Sequence, residues 1–166
     1  MEKARSYVSG VSDAPLLGMT IWWMLPPRGI VSGASKVALT VYMPLYIAVD
    51  GVLGIGSSIL IHYREGLAPS DRAGVDGAFE ALFFAPSAID WLDRSASIAW
   101  EIGALAAALA LWRDYGWRVS VPLAAAGYLL AKSHFPPYGA FAGLALGIAV
   151  WQYLVLKQRV AGQPFR

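Results

Sequence analysis

The stretch Val37–Ile61, VALTVYMPLYIAVDGVLGIGSSILI, holds twenty-five residues and a single charge, Asp50, near its centre. At about 1.5 Å per residue such a helix reaches about 37 Å, more than the roughly 30 Å of a bilayer's hydrocarbon layer. A run this long and this apolar marks a chain that folds in a membrane, and the other segments have to pack around it. A carboxylate at the centre of a span costs at least about 2.5 kcal/mol on insertion scales. Asp50 must therefore face other helices or water.

Three further segments read as spans. Ser95–Trp112, SASIAWEIGALAAALALW, carries Glu101 about two turns inside it. Val119–Ala131 is shorter, and Tyr138–Leu156 follows the helix-stopping pair Pro136 and Pro137. Two apolar segments fall short of spanning length. Residues 14–27 close on Pro26 and Pro27, of which the second holds the first out of helical geometry, and Trp22 and Trp23 suit headgroup depth. Residues 78–92 are bent by Pro86. Between the spans, Arg28–Lys36 reads as a turn, and His62–Gly77 as a polar loop whose glycines and Pro69 argue against regular structure. The expected fold is all-α: a polytopic transmembrane helix bundle with four spans (37–61, 95–112, 119–131 and 138–156) and up to six, forming one integral membrane domain over residues 1–166.

Composition agrees, since 57% hydrophobic residues exceed the roughly 45 to 50% of soluble domains. Thirteen Lys and Arg against eleven Asp and Glu include no basic run, so nucleic acid is not an expected partner. The absence of cysteine excludes disulfides, thiolate metal sites and thiol nucleophiles. Lys3 and Arg5 fit a signal n-region, but no small-residue cleavage site follows, and we read the first apolar stretch as retained. With four spans, Lys3, Arg5, Arg28, Lys36, Arg113, Arg118, Lys157, Arg159 and Arg166 share one side, while Arg64, Arg72, Arg94 and Lys132 share the other. Nine against four places both termini in the cytoplasm, and six spans leave the same balance.

Small residues give the packing signal. Gly139, Gly143 and Gly147 recur at four-residue spacing on one helix face, and Gly51 and Gly54, with Gly56, Ser57 and Ser58, smooth another. Such faces let helix backbones approach closely, and they point to a homo-oligomer or to a partner in a membrane complex besides the lipid bilayer itself.

The run Gly103–Gly147, GALAAALALWRDYGWRVSVPLAAAGYLLAKSHFPPYGAFAGLALG, is similar to the C-terminal helices of a family of uncharacterised bacterial multi-pass membrane proteins. In that family a helix ending in A-L-W-R, a short turn and a helix ending near K-S-x-F-P recur. The resemblance implies the architecture and a bacterial or archaeal cell membrane, and it transfers no active site.

Chemistry-bearing residues are few. The spans around Asp50 and Tyr128 run in the same direction, so His62 and His134 end at one membrane face. Glu101 lies about 9 Å below that face, and Glu65, Asp90, Asp93 and Lys132 flank it. Imidazole and carboxylate are ligands for zinc or non-haem iron, with His62 and Glu65 at i, i+3; two histidines on separate helices could ligate a haem instead. The competing reading is a pair of interfacial histidines bonded to headgroups, and no cofactor is assigned. Asp50 and Glu101 are intramembrane polar positions, read either as a proton or cation path or as contacts that fix helix register. No GxSxG elbow, P-loop or GxGxxG appears, so no catalytic residue is assigned and soluble-enzyme chemistry is not expected. The leading expectation is a non-enzymatic helix-packing subunit or self-associating bundle. Alternatives are a small transporter using Asp50 and Glu101, and a metal or haem protein using His62 and His134.

Overall fold

The computed structural model describes residues 13–84, 86–133 and 137–160. These form α1 (Asp13–Met24), α2 (Ile30–Glu65), a 3-10 turn (Pro69–Asp71), α3 (Arg72–Phe84), α4 (Ala88–Tyr115), α5 (Trp117–Lys132) and α6 (Tyr138–Val160). The all-α expectation holds for the described residues.

The helix ends differ from those read in the sequence. Arg28–Lys36 is not a turn, because α2 begins at Ile30, directly after Gly29 at a φ of 125°. The polar side chains that suggested a turn find acceptors instead. Ser32 Oγ and Lys36 Nζ donate to the Pro26 carbonyl at 2.6 and 3.0 Å, and Ser35 Oγ donates to Gly103 O at 2.7 Å. Buried hydroxyls satisfied in this way let the helix run for 36 residues. The loop expected over His62–Gly77 shrinks likewise. Residues 62–65 complete α2, and helix resumes at Arg72 in spite of Gly74 and Gly77. Pro86 does not bend one helix but separates α3 from α4.

Among the described residues three helices are long and apolar enough to cross a membrane: Ile30–Glu65, Ile89–Tyr115 and Tyr138–Arg159. Helix α5, at 16 residues, is about 24 Å long and falls just below the usual minimum of about 17 residues. Length and composition alone therefore support three spans rather than the expected four.

The helices form a row in chain order: α2 packs along α4, α4 along α5, and α5 along α6. Consecutive members are antiparallel. Helix α1 lies against the first half of α2, where Gly18 meets Tyr42 and Met43, and α3 covers its last turns, where Gly56 faces Leu82. Helix α4 is the centre of the row, and its buried residues are mostly small: Ala96, Ala99, Ala104, Ala107 and Ala108, with Trp100 and Leu111. Two glycines set the spacing. A Cβ on Gly103 would come within 2.8 Å of Leu39 Cδ2, and one on Gly127 within 2.7 Å of Ala104 Cβ. The outward faces stay apolar, with Val37, Ile55, Ile59, Leu144 and Trp151 each at least 60% exposed. So much exposed apolar surface calls for a covering medium.

The two ends of the row differ in charge. Among the described residues, one end gathers the α1–α2 turn, the α4–α5 turn and the last turns of α6, with Arg28, Lys36, Arg113, Arg118, Lys157 and Arg159 against a single acid, Asp114. The other holds Arg64, Arg72, Arg94 and Lys132 against Glu65, Asp71, Asp76, Glu80, Asp90 and Asp93.

Candidate functional site

Tyr42, Tyr46 and Asp50 follow one another at four-residue intervals, which places all three on one face of α2. That face meets α4. Leu39 stands opposite Gly103, and the Tyr42 and Trp100 rings pack with centroids 5.1 Å apart. Continued along two antiparallel helices, the same register carries Asp50 to the level of Leu92 and Asp93. The seam thus runs from an apolar closure at Leu39, through Tyr42, Trp100 and Tyr46, to a carboxylate on each helix.

Tyr42 and Tyr46 pack at 5.4 Å between ring centres. None of Tyr46, Asp50 and Asp93 is without a partner, and all three are half-buried. Deeper in the seam, Tyr42 and Trp100 are each only 1% exposed, yet Tyr42 Oη and Trp100 Nε1 have no hydrogen-bond partner among the described residues. Two buried donors without acceptors among the described residues cost free energy and mark this part of the seam as polar in an apolar setting.

The residues singled out in the sequence are distributed unevenly. Asp50 and Asp93 come to one level, but Glu101 does not join them. It lies eight residues beyond Asp93, about 12 Å along α4, half-buried on the side toward α5, where its carbonyl faces Gly127. His62 and Glu65 are exposed in the last turn of α2, and His134 lies outside the described residues. Asp90 is ion-paired with Arg94 at 3.1 Å, and Lys132 Nζ stands 5.9 Å over the Tyr128 ring. Among the described residues no three His, Asp or Glu side chains converge as metal ligands.

Gly143 and Gly147 face outward with nothing within 4 Å of a Cβ built on them, and Gly51 is equally open. Gly54 and Gly139 are half-buried. The close approaches within the chain belong instead to Gly103, Gly127 and Gly56, the last 3.1 Å from Leu82 Cδ2.

At the acidic end Arg64 clasps α3 to α2 through a two-point bond to Asp76, 2.5 Å from Nε and 3.2 Å from Nη2. The guanidinium bonded to it holds the Asp76 carboxyl below the usual carboxylate range.

The register that brings Asp50 to the level of Asp93 and packs Tyr42 on Trp100 leaves no local trace in the sequence. The spacing of Tyr42, Tyr46 and Asp50 was the available signal, since it marks one polar stripe on an otherwise apolar helix. No protein-family model matches the chain, nor does any curated protein or solved structure, so the functional reading rests on this geometry.

Proposed function

We propose that the chain is an integral membrane protein in which α2, α4, α5 and α6 cross the bilayer in succession, with the basic end toward the cytoplasm. The three long apolar helices and the charge difference between the two ends support this arrangement. Helix α5, which follows α4 through a single glycine, Gly116 at a φ of 66°, completes the even count. Its working site is the α2–α4 seam, a non-enzymatic binding place for a small cation, a proton included.

The observation that carries the site is the register of the α2–α4 seam, in which Leu39 faces Gly103 and Tyr42 packs on Trp100, so that Asp50 of one helix comes to the level of Asp93 of the other. Two carboxyl groups at one level between apolar helices offer oxygen ligands that a proton or a small cation can bridge. The deeply buried Tyr42 hydroxyl, on the same face of α2 as Asp50, adds a further polar group to the seam. Thermal stability of the purified chain in a series of monovalent cations, and across pH, tests the site. A cation at one hundred times its dissociation constant stabilises by about 2.7 kcal/mol. Asp50→Asn should flatten that dependence while the fold survives. An unchanged dependence in Asp50→Asn would remove the seam as the site.

A second reading is favoured by a different observation. Gly143 and Gly147 present open backbone on the outside of α6, the geometry that close helix association between chains requires. The chain would then act as a self-associating or complex-forming membrane component. Native mass in detergent, compared between the wild type and Gly143→Ile, addresses this reading.

A further inference from the structure

At the basic end several cations stand over aromatic rings. Lys157 Nζ lies 4.8 Å from the centre of the Trp23 ring and 5.3 Å from that of Tyr153. Lys36 Nζ stands 5.8 Å from Trp22, and the Arg118 guanidinium 5.9 Å from Trp117. The rings themselves join three helices. Trp23 of α1 meets Tyr153 of α6 edge-on at 5.8 Å, and Tyr153 packs on Tyr115 of α4 at 4.8 Å.

Among the described residues no salt bridge neutralises this positive charge: both, Arg64–Asp76 and Arg94–Asp90, belong to the opposite end. Lys36 is engaged by the Pro26 carbonyl, whereas among the described residues Lys157 is held from its ring side, by Trp23 and Tyr153. An ammonium has three donors, so an aromatic face leaves hydrogens free for an outside acceptor. Trp22, Trp23 and Trp117 are 40%, 58% and 64% exposed, with the apolar flanks of α1, α5 and α6 adjoining them. Amphipathic rings at the edge of apolar helix surface are suited to the headgroup layer, where the acceptor available is a lipid phosphate.

We infer that the basic end binds anionic phospholipid, its phosphate against Lys157 and its chains lying along α1 and α6. The inference rests on the membrane reading and is independent of the seam. Charge complementarity selects the occupant: six Lys and Arg against one acid favour an anionic lipid over a zwitterionic one.

Native mass spectrometry tests it on the full chain released from micelles containing equal amounts of phosphatidylglycerol and phosphatidylcholine with identical acyl chains. Phosphatidylglycerol should be retained in preference. Lys157→Gln should lower the preference about fivefold, and adding Arg118→Gln about fivefold again. Lys157→Arg, which keeps the charge, should preserve the preference, as should Lys132→Gln at the opposite end. Equal retention of the two lipids, or a preference indifferent to Lys157 and Arg118, would overturn the headgroup assignment and leave the membrane reading standing. Retention of neither lipid would overturn both, and displacement of phosphatidylglycerol by millimolar inorganic phosphate would reassign the site to a free anion.

Discussion

Leu39 and Gly103 close on each other across the α2–α4 seam so tightly that a Cβ on Gly103 would lie 2.8 Å from Leu39 Cδ2. This contact sets the register in which Tyr42 meets Trp100 and Asp50 reaches the level of Asp93. Gly103→Ala should therefore force the two helices apart and cost about 1 to 3 kcal/mol of stability. Thermal unfolding in detergent measures it. Gly143→Ala, where the added methyl meets nothing within 4 Å, is the control and should change little. Equal effects at the two positions would mean that the seam is looser than described.

Tyr42→Phe removes a buried hydroxyl that lacks a partner among the described residues and keeps the ring packed on Trp100. Stability should be unchanged or should rise by up to about 2 kcal/mol. A loss of more than about 1 kcal/mol would show that the hydroxyl bonds a buried water or ligand. In the cation-dependence experiment the same variant should weaken the response without abolishing it, since Asp50 remains.

The Arg64–Asp76 clasp gives α3 a pH dependence of definite sign. Because the Asp76 carboxyl is held below its ordinary value, its contribution is fully present above about pH 4 and fades as pH falls through the depressed value. Hydrogen exchange of the α3 amides should accelerate over that window, and Asp76→Asn should bring the faster exchange to neutral pH. An α3 equally protected at every pH, in both forms, would make the clasp incidental.

Gly143→Ile places a branched side chain on the open outer face of α6. If α6 packs against another chain, the native mass should fall to that of the monomer while the melting temperature of the monomer holds. An unchanged mass would assign that face to lipid.

The three long helices are legible because an apolar run of about 18 residues or more has few alternative uses. Their ends are not, because Ser32, Ser35 and Lys36 look like turn residues until their acceptors, Pro26 O and Gly103 O, are in place. The Ser35 acceptor lies 68 residues away, beyond the reach of any local pattern. Asp50 was recognisable from its surroundings alone, whereas its counterpart Asp93 was grouped with the histidines. The register that brings the two acids to one level depends on the fit of Leu39 to Gly103, which is a tertiary fact. Within the chain α6 packs through Ala142, Leu146, Ala149 and Tyr153, and it leaves Gly143 and Gly147 on an open face.

The absence of native cysteine makes the central claim, a row of helices crossing the bilayer with its charged ends on opposite sides, directly measurable. Single cysteines at Arg118 and Lys157 mark the basic end, and cysteines at Ser70 and Lys132 mark the acidic end. A membrane-impermeant maleimide applied to intact cells should label Ser70→Cys and Lys132→Cys, and should reach Arg118→Cys and Lys157→Cys only after the membrane is opened. Labelling of all four positions in intact cells, or from the same face of sealed inverted vesicles, would contradict the crossing.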